Sequence, residues 1–411
     1  MTSLRALRPA FPILLGASLM LTLSMGIRQS LGIFMQPLTQ DIAISISEFT
    51  VAIAIQNLAW GFTQPIAGAY AARHGFRPVV MVGAGLYITG LTLMAAAQGF
   101  LSIIIGAGVL IGMSLSCIAS SVSMAVAARS VPASSRSLVL GIVSAAGSLG
   151  ALIAAPLGQA LNQEYGWRFG IAGFVILSLA LIPATWLAGK VDKIPLPPAP
   201  SNDMDGVSAR TVIGRAFGNP SFIVMTMAYF VCGMQLVFLT THLPTYLAIC
   251  GMDPMLSAQT LGVIGGFNVI GSLFFGWAGG RWNKLALLGG IYFSRSLILA
   301  WYFMQTPTPT MTLIFAALMG FLWLGVGPLV AGAIVEMFGL KWQAMIAGLA
   351  FMSHQLGSFL GALGGGLIYD SLGSYTLAWQ VGVTIGLTAG LVQIAFALIR
   401  PPEPPLAMQT R

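Results

Sequence analysis

Apolar residues in this chain of 411 come in long runs broken by short polar stretches, rather than in the alternating faces of a soluble fold. Twelve runs, at 11–36, 49–70, 78–97, 101–127, 137–161, 169–188, 220–248, 256–278, 285–304, 311–334, 343–368 and 376–399, are each about 18 residues or longer, enough for a helix to cross roughly 30 Å of hydrocarbon. A segment in lipid has to satisfy its backbone polar groups internally, so these runs read as helices. The pattern predicts an all-α integral membrane protein with twelve transmembrane helices.

The longest polar interruption, 189–219, carries Lys190, Asp192 and Lys193, then prolines between Pro195 and Pro200, then Asn202, Asp203 and Asp205. It divides the chain into an N-terminal six-helix bundle at 1–188, a cytoplasmic linker, and a C-terminal six-helix bundle at 220–411. Sliding one half over the other by 207–208 residues aligns Gly26 and Pro37 with Gly233 and Pro244, and Gly68 and Arg73 with Gly276 and Arg281. The same offset aligns Gly141, Gly150 and Gly158 with Gly348, Gly357 and Gly365. Self-similarity of this kind marks duplicated, pseudo-symmetric bundles.

Composition sharpens this picture. The residues are 57% apolar and 7% charged, and the mean hydropathy is +0.90, outside the range of soluble domains of this length. The formal charge of +8 comes from Lys and Arg in alternate loops: with the N-terminus inside, Arg5, Arg8, Arg73, Arg77, Arg129, Arg136, Arg281, Lys341, Arg400 and Arg411 are cytoplasmic, whereas Arg168 is outside. Both termini are therefore expected in the cytoplasm, and the first span is too long for a cleaved signal. The electrostatic partner of such a surface is the lipid bilayer's anionic inner leaflet, with no nucleic acid called for. Cys117, Cys232 and Cys250 show no metal-ligand spacing, so no metal or other cofactor is expected, and only Cys250 lies at an outer helix end. No nucleophile–base pair or phosphate loop argues for an enzyme.

Gly68-Ala-Tyr-Ala-Ala72-Arg73-His-Gly75-Phe-Arg77 resembles the hallmark loop of the major facilitator superfamily, with a weaker second copy at Gly276–Lys284 containing Arg281. In that family the loop's acid and arginines stabilise a gated state, which implies a gating role for Gly68, Arg73, Gly75, Arg77, Gly276 and Arg281. Here the acid's position holds Ala72. Arg28-Gln-Ser-Leu-Gly-Ile-Phe, Gln56-Asn-Leu-Ala-Trp-Gly, Thr241-His-Leu-Pro and Ser353-His-Gln-Leu-Gly-Ser are similar to bacterial members allied to monocarboxylate transporters and oxalate–formate exchangers. The substrate arginine that those relatives carry in span 8 corresponds here to Ser272, leaving Arg28 as a replacement charge.

Two arginines lie inside spans, Arg28 in the first and Arg295 in the ninth, with no charged neighbour in either segment. A guanidinium there costs roughly 2.5–3.5 kcal/mol on insertion scales and has to face a cavity, a partner or a ligand. Its planar fork suits a carboxylate; the alternative is a structural arginine capping carbonyls. Candidate substrate contacts are Arg28, Gln29, Gln56, Asn57, Trp60, Gln235, Asn268, Arg295, His354 and Gln355. His354 is also the residue with which a proton could be carried, because the acids all fall in loops or at span ends. These features lead to the expectation of a secondary transporter, a symporter with the proton as a candidate partner, that moves a small organic anion of monocarboxylate type across the bacterial inner membrane by alternating access, as a monomer. An efflux pump for neutral or amphiphilic compounds, with both arginines structural, is the alternative.

Overall fold

The computed structural model describes residues 8–42, 44–195 and 208–399, so the middle of the linker and Arg5, Arg400 and Arg411 lie outside the described residues. Among the described residues the secondary structure is helical, with no strand. Twelve long helices follow the twelve predicted runs: α1 Arg8–Leu38, α2 Ile46–His74, α3 Phe76–Ala95, α4 Phe100–Ser130, α5 Ala133–Tyr165, α6 Trp167–Lys193, α7 Pro220–Ile249, α8 Pro254–Ala278, α9 Lys284–Phe303, α10 Pro309–Phe338, α11 Gln343–Leu372 and α12 Thr376–Ile399. Eleven are long and apolar enough to cross a membrane; α2, which carries the Gln56, Asn57 and Gln64 amides, is not among the eleven. One further short helix, Ala209–Phe217, belongs to the linker and is capped by the Ser208 side chain.

Local chemistry sets the helix starts. α2 opens with a capping box, in which Ser45 Oγ accepts from Glu48 N at 3.1 Å and Glu48 Oε2 accepts from Ser45 N at 2.7 Å. Asn219, Asn283 and Thr308 cap α7, α9 and α10, and proline follows immediately in α7 and α10, where its missing N–H costs nothing.

Contacts group the chain into two compact units: residues 8–195 with Leu340–Gly348, and 208–339 with 349–399. In the first unit α1 packs along α5, and the glycines matched by the repeat lie at the crossing. A Cβ on Gly150 would sit 2.0 Å from Thr22 O, and one on Gly26 would sit 2.4 Å from the Gly150 carbonyl carbon. In the second unit α7 crosses α11 in the same way: a Cβ on Gly357 would lie 2.0 Å from Phe230 O, and one on Gly233 would lie 2.1 Å from His354 O. The repeated glycines thus record the same close backbone crossing made twice. A core of Leu239, Leu243, Tyr302, Phe315, Met319 and Trp379 fills the second unit.

Several helices are interrupted. α1 tightens to a 3₁₀ turn at Leu31–Phe34, α4 carries a π-helical stretch at Ile104–Leu110 and breaks at Ala119, and α10 breaks at Leu324–Gly325. Such interruptions free backbone groups that side chains then have to satisfy.

Candidate functional site

In the first unit the guanidinium of Arg28 is half-buried and held by α2. Its Nε donates to Gln56 Oε1 at 2.9 Å and its Nη2 to Asn57 Oδ1 at 2.5 Å. Gln56 is oriented in turn, because its Nε2 donates to the carbonyl of Ala107 at 2.7 Å, inside the π-helical stretch of α4. The Arg28 guanidinium carbon sits 5.1 Å from the centre of the Trp60 ring, within cation–π range. Trp60 Nε1 donates to Gln64 Oε1 at 2.9 Å, and Gln64 Nε2 to Ser116 O at 2.8 Å, so the amide chain runs from α1 through α2 to α4. Gln29 is exposed and makes none of these bonds.

The arrangement positions Arg28 without neutralising it. Both residues that hold it are uncharged amides, and the ion pairs among the described residues lie elsewhere, Arg168 with Asp41 at 3.3 Å and Lys284 with Glu336. A guanidinium has five N–H donors. Two are engaged here, and the remaining edge, Nη1 and one hydrogen of Nη2, is not sealed inside the protein. That edge can accept a carboxylate in a two-point contact.

The second unit holds its arginine differently. Arg295 on α9 is fully buried; Nη1 donates to Cys232 Sγ at 3.2 Å, Nη2 to Cys232 O at 3.5 Å, and Nε has no acceptor. His354 on α11 stacks on Phe351 at 5.6 Å and lies 4.6 Å from the Tyr229 ring, with Nδ1 near Gln355 Oε1 at 3.3 Å and Ser358 Oγ at 3.4 Å. Gln355 is buried beside it. Asn268 serves the fold: its Oδ1 accepts from Leu324 N at 2.8 Å and so satisfies the break in α10. Gln235 is held by Ser296 and Gly382, both at 2.9 Å. His242 is fully engaged, Nε2 donating to Ala362 O at 2.9 Å and Nδ1 pairing with Tyr375 Oη at 3.1 Å.

The hallmark-loop residues fall at the α2–α3 turn. Gly75 has a φ of 91°, a left-handed conformation that favours glycine, while Arg73 and Arg77 are exposed. Gly68 is buried where α2 meets the start of α11, a segment grouped with the first unit; a Cβ would lie 2.3 Å from Met345 N. In the second copy Gly276 is buried and Arg281 is exposed, 4.2 Å over the Trp277 ring. Sequence reasoning missed Asp192 at the end of α6. Its carboxylate accepts from Phe76 N and Arg77 N, both at 2.8 Å, so it caps the first turn of α3 directly beyond Gly75. Arg129 ties the same region down by donating to Ile194 O at 2.7 Å. An acid that far along the chain from the loop gives no local signal.

Two bundles of apolar helices, with polar side chains and broken helices inside them, define a polytopic membrane transporter. Residues 17–362 match the family model described as Major Facilitator Superfamily, and the chain belongs to that superfamily. It is 26% identical over 385 residues to monocarboxylate transporter 13 of Rattus norvegicus, covering 90% of this chain and 84% of that protein. It is 23% identical to the sialic acid transporter NanX of Escherichia coli (strain K12), covering 85% and 81%. Among solved structures, the proton:xylose symporter XylE superposes with a TM-score of 0.72 at 16% identity, covering 95% of this chain and 96% of that one. The E. coli fucose:proton symporter FucP gives 0.71 at 16% identity, covering 95% and 98%. These two show the shared fold.

Proposed function

We infer that this transporter carries a small organic anion of monocarboxylate type, with Arg28 as its countercharge. The observation that carries the reading is the half-buried guanidinium of Arg28, fixed by two neutral amides, paired with no acid among the described residues, and left with an open Nη1–Nη2 edge. An uncompensated cation inside a span is costly, and an anionic passenger offsets that cost while bound. Trp60, buried beside Arg28, holds the guanidinium from behind by a cation–π contact. Named relatives that handle acids, a monocarboxylate transporter and a sialic acid transporter, support the same class.

The remaining assignments follow. Residues 1–188 and 220–411 act as the two moving halves joined by the linker 189–219, in one chain that works as a monomer by alternating access. It sits in a bacterial inner membrane with both tails cytoplasmic. A proton would travel either as the undissociated acid or by way of His354, since no described carboxylate lies deep within a span. Gln235 and Asn268 are structural in this reading, Arg295 anchors α9 to α7, and Gln355 orients His354.

The test is binding and uptake of labelled monocarboxylates by purified wild-type and Arg28→Gln protein in proteoliposomes, with and without a pH gradient. Loss of a bidentate charge-assisted contact should weaken binding at least tenfold while the protein stays folded and monodisperse. Retained affinity in a destabilised Arg28→Gln protein would instead favour an efflux pump for neutral or amphiphilic compounds.

A further inference from the structure

The second unit contains a cavity of about 120 Å³ between α7, α9, α11 and α12, walled by Phe238, Leu299, Ile368 and Trp379 and floored by Gln235. Two glycines create part of the space: a Cβ built on Gly364 or Gly382 meets no heavy atom within 4 Å. Their neighbours Gly361 and Gly386 do the opposite, since a Cβ there would come within 2.1 Å of Met234 O and 2.0 Å of Gln235 Nε2. One set of glycines brings the helices together; the other leaves the gap.

Gln235 lies level with the middle of α7 and is 4% exposed. The orientation of its amide is fixed by chemistry. Ser296 Oγ gives its hydrogen to Tyr292 O at 2.9 Å and therefore accepts from Gln235 Nε2, and the Gly382 carbonyl can only accept. Both hydrogens of Nε2 are spent. Oε1 accepts from no described residue, and it is not sealed off from the cavity that Gln235 lines. Oε1 therefore presents a free acceptor to the cavity, the one point on its lining where the Gln235 amide can take a further hydrogen bond.

We propose that this cavity is a binding site for an uncharged, apolar small molecule with a hydroxyl donor, its hydrocarbon part among Phe238, Leu299 and Trp379 and its O–H donated to Gln235 Oε1. A charged head is disfavoured because no charged side chain lines the space. Access passes Leu360 and Val381, apolar residues exposed on their spanning helices, so the occupant is a compound that dissolves in an apolar phase. The site is independent of the Arg28 cluster and stands whether or not the anion reading holds.

Trp379 in the wall supplies a direct readout, because a bromine atom against its ring quenches its fluorescence. Wild-type protein in nanodiscs is titrated with 4-bromophenol, which has a donor, and with 4-bromoanisole, which has none. Expected are saturable quenching by 4-bromophenol that disappears in Trp379→Phe, an affinity about tenfold weaker in Gln235→Leu, and only linear, partition-driven quenching by 4-bromoanisole. Gly382→Leu, which places its side chain in open space, should abolish saturation while the protein stays monodisperse and keeps its Arg28-dependent acid binding. Equal saturation by both probes, undiminished binding in folded Gln235→Leu or Gly382→Leu protein, or no saturable quenching by 4-bromophenol overturns the proposal.

Discussion

At the scale of single residues, the two intramembrane arginines stand out in the sequence but their difference does not, because the difference lies in what each one meets. Arg28 meets two amide oxygens and keeps an open edge. Arg295 meets a thiol and a carbonyl of Cys232 and is wholly enclosed, with Nε–H lacking an acceptor. A buried cation with so few partners costs the fold more than an apolar side chain of similar size. Arg295→Met is therefore expected to match or exceed the wild-type melting temperature and to keep substrate binding, as read by thermal unfolding and proteoliposome uptake. Folded protein that no longer binds would make Arg295 a ligand group instead. Gln56, Asn57 and Trp60 were legible in the sequence as candidate polar contacts one span away from Arg28. What the one-dimensional pattern could not carry was the direction of the Gln56 amide, which is set by Ala107 O on α4, and the diversion of Gln235 and Asn268 to Gly382 O and Leu324 N.

At the scale of elements, the twelve apolar runs translate directly into helices because lipid leaves the backbone no other choice, whereas the interruptions in α4 and α10 leave almost no trace in hydropathy. The repeated glycines were legible too, and their geometry gives them opposite sensitivities. Gly150→Val and Gly357→Val would each force a side chain onto a backbone oxygen 2.0 Å away, at Thr22 and Phe230. Such overpacking costs typically 1–3 kcal/mol and here requires the paired helices to separate, so a clear fall in melting temperature is expected for both. Gly262→Ala on α8 is the contrast: nothing lies within 4 Å of its Cβ, and the change should be neutral or stabilising by up to about 1 kcal/mol. Asp192 makes a separate prediction about the α2–α3 turn. Its carboxylate satisfies two N–H groups at the positive end of α3, so Asp192→Ala should cost about 0.5–2 kcal/mol by thermal unfolding. Asp192→Asn, which keeps one acceptor oxygen, should recover part of that loss.

At the scale of the whole molecule, the distribution of cations orders the loops. Arg73 and Arg77 after α2, Arg129 and Arg136 between α4 and α5, Lys190 and Lys193 at the end of α6 and Arg281 and Lys284 between α8 and α9 all recur at every second turn between helices, whereas Arg168 is the one cation in the intervening turns of the sequence. Because Lys and Arg in short loops resist translocation, the proposed orientation with both tails cytoplasmic puts the turn after α7 on the opposite side from these, outside the cell. Cys250 closes α7 at that turn and is partly exposed; Cys232 is buried and Cys117 lies within α4. The three thiols therefore differ in access by position alone, and a membrane-impermeant maleimide reads the difference. Intact cells expressing the wild-type chain should be labelled, Cys250→Ser should remove the signal, and Cys117→Ser and Cys232→Ser should leave it. Labelling of Cys250 only after the cells are permeabilised would invert the topology, and with it the assignment of the Gly75 and Arg281 turns to the cytoplasmic face.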